Sequence, residues 1–130
     1  MVQRQLRERL HLLTESVESF QASATAERQA MLNRLRTLGL ISDEEADDAD
    51  SHIPQIVEAM HAMLRKSPSL LIQAALVDGV GERRTQNQPG TSDQYPNWRI
   101  PLADGEGNVV PLEKLFDEPR LQEIAAIMRG

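Results

Sequence analysis

The sequence predicts a mainly α chain with little β, and three observations carry that expectation. Apolar residues recur at steps of three and four through the first third of the chain, as one face of a helix requires. Aromatic residues make up only 3% of the 130 residues, so a core must rest on Leu, Ile, Val, Met and Ala, which suits helices. Most of the prolines and glycines lie after Ser67, so a helix-rich part is followed by a loop-rich part. A chain of this length is one small domain that buries roughly two thirds of its unfolded surface.

Leu6, Leu10, Leu13, Val17, Phe20 and Ala24 form one apolar stripe, and Met31, Leu35 and Leu38 resume it after Glu27 interrupts. Gly39 is placed to end the helix in a left-handed cap. Between Ile41 and Ala62 the chain carries seven acidic residues and no Lys or Arg. Calcium loops of the EF-hand type need a glycine at their sixth position, and this run has none. Ser42 and Glu45 fit a capping box instead, so the run reads as a solvated helix start. Ser51 and Pro54 predict the next start, with Ile56, Val57, Met60, Met63 and Leu64 on its apolar face. His52 and His61 are spaced too far apart to share a helical face, which argues against a zinc site.

Residues 70–77 are almost continuously apolar and end at Asp78 and Gly79; length alone does not separate a buried helix turn from a buried parallel strand, and the preceding helix, the Ser-Pro-Ser break and the polar exit favour the strand. In a barrel, functional residues gather at the carboxyl ends of such strands, so Asp78 and the loop beyond it would face the site. Gly79 and Gly81 invite a dinucleotide reading, but Arg84 stands where its third glycine is needed. Residues 100–103 and 108–112 flank Asp104-Gly105 as a short hairpin, with Pro101 and Pro111 confining both arms to edge positions. Leu112, Leu115 and Phe116 suggest one helical turn. Pro119 opens a last helix with Leu121, Ile124, Ala125 and Met128 on one side.

Charge and composition narrow the function. A formal net charge of −6 opposes general nucleic-acid binding, which needs a basic footprint. No apolar run reaches the length of a membrane span, and the first residues mix arginines with leucines, unlike a signal peptide. The absence of cysteine removes disulfides and thiolate chemistry and fits the cytoplasm. No cofactor or metal is expected.

The aperiodic stretch at residues 86–99 is the most distinctive part of the chain. Tyr95 and Trp98, two of only four aromatics, sit there beside Pro89, Gly90 and Pro96. Such loops commonly carry function. Asn87, Thr91 and Asn97 supply amides and a hydroxyl for neutral polar ligands, and Trp98 offers a flat apolar face, a combination suited to sugars. The competing reading is that Asn87 and Thr91 satisfy loop backbone, that Pro89-Gly90 makes a tight turn, and that Trp98 packs the loop down.

Asn87-Gln88-Pro89-Gly90-Thr91 resembles the Asn-x-Pro-Gly-Thr loop of the 4-alpha-glucanotransferases, the amylomaltases or disproportionating enzymes, and Asn97-Trp98-Arg99 resembles the Asn-Trp-Arg that follows it. The apolar run ending in Asp78 agrees. The resemblance is strongest over residues 67–102 and extends more faintly over the whole chain. Gln88 stands where many members have an apolar residue, and Ile100 where many have a second basic one.

The resemblance implies that this chain is the C-terminal strand and helices of a much longer (β/α)8 barrel. Residues 1–66 would be helices of the barrel periphery, and residues 67–130 the last strand, the substrate-cleft loop, a short hairpin and the final helix. The family transfers α-1,4-glucan segments between maltooligosaccharides by a retaining mechanism. Its three carboxylates lie on earlier strands, no catalytic residue is assigned here, and the chain alone is expected to be inert. Asn87, Gly90, Thr91 and Trp98 would bind substrate, with Asp78, Pro89, Asn97 and Arg99 as support. The partners would be an α-1,4-glucan and the N-terminal part of the barrel. The alternative class is a free-standing helical interaction or dimerisation module built on the Leu6 to Phe20 stripe.

Overall fold

The computed structural model describes residues 2–12 and 16–130, with side chains from Leu6 onward. Leu13, one position of the expected first stripe, lies outside the described residues. Helix α1 (Val2–Arg9) ends at His11, whose φ of 55° is left-handed, with His11 N–H bonded to Glu8 O and Leu12 N–H to Arg7 O. That crossed pair is a Schellman stop, so the stripe from Leu6 onward is carried by two helices. Helix α2 (Val17–Thr37) starts anew because the Ser16 hydroxyl accepts the Ser19 N–H. Arg7 lies 5.9 Å over the Phe20 ring, which holds α1 against α2.

Helix α2 ends as its sequence predicts. Gly39, at φ 65°, donates to Arg36 O and Leu40 to Leu35 O, a second Schellman stop. Helix α3 (Asp43–Asp47) carries the complete capping box, with Ser42 N–H 2.7 Å from Glu45 Oε2 and Glu45 N–H 3.1 Å from Ser42 Oγ. Helix α4 (Ile53–Arg65) has Pro54 in its first turn, and its cap position is His52, not Ser51. Leu32, Leu35, Ile41, Ala49 and Ala59 form the core among α2, α3 and α4, with Met31, Ile56 and Met63 packed on it.

Helix α7 (Pro119–Arg129) packs against α4 and against the short α5 (Leu76–Val80), with Ile124 buried at the contact. The approach of α5 depends on Gly79, since a Cβ there would fall 2.5 Å from Leu121 Cδ1. Helix α6 (Leu112–Leu115) is the expected single turn.

Two expectations are corrected. The strand at residues 70–77 does not form: residues 71–75 are irregular with no ladder partner, Ala75 alone has recorded extended dihedrals at φ −93° and ψ 140°, and α5 begins at Leu76. A strand needs neighbours to bond its backbone, and none lies among the described residues. The hairpin reduces to one antiparallel bridge, Ala103 to Val109, because the flanking prolines lack the N–H groups that would extend it. The described chain is therefore helical without strands, and no described helix is long and apolar enough to cross a membrane.

The unpaired segment nevertheless keeps the alternation of a strand. Ile72 and Ala74 are half-buried, facing a groove of about 380 Å³ that Leu121, Ile124 and Met128 also line. Leu71, Gln73 and Ala75 are exposed, and Leu70 and Leu71 reach 106% and 88% exposure. Gln73 and Ala75 also border that groove, so the alternation is one of exposure, with Leu70 and Leu71 the residues left uncovered.

Candidate functional site

The loop at residues 85–99 is built from its own polar groups. Asn97 stands at its centre, accepting the Gln88 N–H at 2.7 Å through Oδ1 and donating Nδ2 to Thr91 Oγ1 at 3.0 Å. The Thr91 hydroxyl donates to Gln88 O at 2.6 Å. The Tyr95 ring is buried, with its hydroxyl donating to Thr85 O, and Trp98 N–H reaches Gln86 O at 2.8 Å. Inside the loop, Gln86 Nε2 and Gln88 Oε1 are buried without a hydrogen-bond partner among the described residues.

This arrangement divides the eight residues singled out by the sequence. Thr91 and Asn97 spend their polar atoms on the loop itself. Gly90 is left-handed at φ 84°, and the group that approaches it here is the Leu12 side chain, 3.3 Å from where a Cβ would stand. Pro89 is exposed, with its carbonyl 3.4 Å from Gln88 Nε2. The Asn87 side chain is exposed and makes no hydrogen bond to the described residues, although its carbonyl accepts from Thr85 Oγ1 at 2.8 Å.

Trp98 is 77% exposed and has a φ of 58°, a conformation that costs a bulky residue roughly 1–3 kcal/mol. Nothing in the described chain covers its ring. Arg99 is exposed, and among the described residues it has no carboxylate at ion-pair distance. Of the polar and aromatic side chains singled out in the loop, Asn87, Trp98 and Arg99 are the exposed ones.

Asp78 lies in α5, and its carboxylate is 3.5 Å from His61 Nε2 instead of bonding the loop. His61 is buried on α4, its Nδ1 2.8 Å from Val57 O, an arrangement that requires the proton on Nδ1. With the proton on Nδ1, Nε2 attracts the Asp78 carboxylate only when it is protonated as well, and in that charged form the pair ties α4 to α5.

The group that bonds the loop's base is Glu82, which the sequence reading missed. Its carboxylate accepts from Arg84 N–H at 2.8 Å, Arg84 Nε at 2.9 Å, Arg84 Nη2 at 2.6 Å and Ala103 N–H at 3.2 Å. Arg84 hydrogen-bonding, against the opposing desolvation, brings its pKa down to about 2. The available signal was an acid directly followed by Arg83 and Arg84 shortly after the apolar run, a pattern obscured by the dinucleotide reading raised at Gly79 and Gly81.

An unpaired apolar segment thus runs through α5 into this hydrogen-bonded loop. The chain belongs to the 4-alpha-glucanotransferase family, glycoside hydrolase family 77, whose profile matches residues 11–106. It is 44% identical to the 4-alpha-glucanotransferases of Mycobacterium tuberculosis and Mycobacterium bovis over 96% of its length. The crystal structure of amylomaltase from Corynebacterium glutamicum superimposes on 96% of the chain with a TM-score of 0.84 at 35% identity. The chain spans 17% of those mycobacterial relatives and 18% of the amylomaltase.

Proposed function

We propose that this chain serves as the C-terminal portion of a 4-alpha-glucanotransferase that transfers α-1,4-glucan segments between maltooligosaccharides in the cytoplasm. The observation that carries this reading is the residue 71–75 segment. Its exposure alternates like a strand's, Ile72 and Ala74 half-buried between exposed Leu71, Gln73 and Ala75, and it borders a groove shared with α7. A (β/α)8 barrel supplies two parallel neighbours for such a strand and an interior for its second face. The small share of the relatives that the chain spans agrees with further strands belonging to the working enzyme.

In this reading the loop forms one wall of the glucan cleft. Asn87 offers its free amide to sugar hydroxyls and Trp98 its open ring to a pyranose face, while Thr91, Asn97, Pro89 and Gly90 keep the loop in shape. The retaining mechanism needs two carboxyl groups roughly 5 Å apart, and these come from other strands. Family membership does not favour the alternative of a free-standing dimerisation module.

Maltotriose tests the reading. The isolated chain should release no glucose from it, whereas the same residues joined to upstream barrel strands should yield glucose and longer oligomers. Glucose release by the isolated chain, or none by the joined one, would refute it.

A further inference from the structure

The loop leaves the body after Arg84 and returns at residues 100–103, and both ends meet at one carboxylate. Arg84 precedes the loop and Ala103 follows it, and Glu82 accepts hydrogen bonds from both. Arg84 Nη2 also donates to Pro101 O at 2.9 Å, adding a second link across the neck. The Glu82 side chain is 1% exposed, so water cannot replace these donors without opening the neck. Above the neck the Thr85–Tyr95 and Gln86–Trp98 bonds form a middle tier, and Gln88, Thr91 and Asn97 form the tip. Compact loops whose ends are pinned together hold their tips through such tiers. A change at the base therefore moves Asn87 and Trp98 together.

We propose that Glu82 is a positioning residue of the glucan transfer reaction, holding the neck of the loop so that Asn87 and Trp98 meet the sugar. The proposal rests on the functional reading above, in which this loop lines the cleft. Glu82 touches neither substrate nor a reacting atom. The contacts it positions are made alike in the ground and transition states, so their loss appears in KM.

Two readouts test it. In the enzyme carrying this segment, E82Q should raise KM for maltotriose severalfold and E82A further, with kcat held within about twofold. A fall in kcat at unchanged KM would overturn the proposal. In the chain itself, hydrogen exchange followed by mass spectrometry should rise for E82Q in peptides from residues 85–103 and stay level in α2 and α4. Unchanged loop exchange, or an equal rise in α2 and α4, would also overturn it, the latter marking Glu82 as a general stabiliser. The exchange readout needs no sugar, so failure of the transferase reading, seen as a wild-type enzyme that transfers no glucan, is distinguishable from failure of the lock.

Discussion

Glu82 and Arg84 face each other as a forked pair, Arg84 Nε 2.9 Å from Oε1 and Nη2 2.6 Å from Oε2, across a turn only two residues long. A guanidinium and a carboxylate fit side by side with two parallel hydrogen bonds, which makes this the strongest form of ion pair. Here the carboxylate is sealed from water and the guanidinium keeps 39% exposure, so the burden of desolvation falls on Glu82.

That asymmetry predicts an acid-sensitive fold. Glu82 has a pKa of about 2 in the folded chain against 4.5 for the unperturbed group, so its ionised form stabilises the fold at every pH above 4.5. The stabilisation, roughly 2–3 kcal/mol, is lost as pH falls from there through the folded value. Urea denaturation of wild type and E82Q between pH 7 and pH 2 should show the wild-type advantage shrinking over that window. An advantage that persists unchanged at the acid end would contradict the assignment.

Glu58 on α4 predicts the opposite slope. Desolvation, and then hydrogen bonding and repulsion from Glu123 on α7, raise its pKa above 4.5, while Arg120 opposes them. A raised folded pKa gives stability that is present below 4.5 and lost as pH rises through the folded value. Glu123→Gln should remove part of that loss and stabilise the chain by roughly 0.3–0.5 kcal/mol at pH 7. Thermal melts of the variant at pH 7 and pH 4 check this, with the gain expected only at the higher pH.

Gly79→Ala should separate α5 from α7. Its new methyl would stand 2.5 Å from Leu121 Cδ1 and 3.3 Å from the Leu121 Cα, and the backbone cannot yield as a side-chain tip does. Overpacking of this kind costs about 1–3 kcal/mol. Leu121→Ala in the same chain should recover part of it by removing Cδ1. A double-mutant cycle on melting free energies that shows simple additivity would exclude this contact as the cause.

The features legible in the sequence are those set by neighbours along the chain. The cap at Gly39, the Ser42–Glu45 box and the start near Pro119 each need only a few adjacent residues, and each is present. The strand expected at residues 70–77 is absent from the described chain for the opposite reason, since pairing depends on partners that the described chain does not contain. Its periodic burial survives, which is why an apolar run could suggest it. In the loop, residue types marked the place but not the division of labour. Asn97 and Thr91 look as available as Asn87 until the fold brings them together. The adjacent Arg83 and Arg84 hint at Glu82, but its hold on the neck is not legible, because Ala103 N–H reaches its carboxylate and Pro101 O reaches Arg84 only once the chain folds.

Exposed Leu70 and Leu71 predict that the isolated chain associates with itself, since an unpaired segment with uncovered apolar side chains offers both backbone and apolar surface to another copy. Sedimentation velocity over a range of concentrations should show growth of larger species, reduced by Leu71→Lys. A monomer at every concentration would contradict the prediction.

The backbone amides of residues 71–75 test the central claim most directly. Hydrogen exchange read by NMR, at a dilution where the isolated chain is monomeric, should find these amides unprotected, and joining the chain to upstream barrel strands should protect them strongly. Equal protection in both, or none in either, would contradict the claim that this segment is a strand completed by the rest of a transferase.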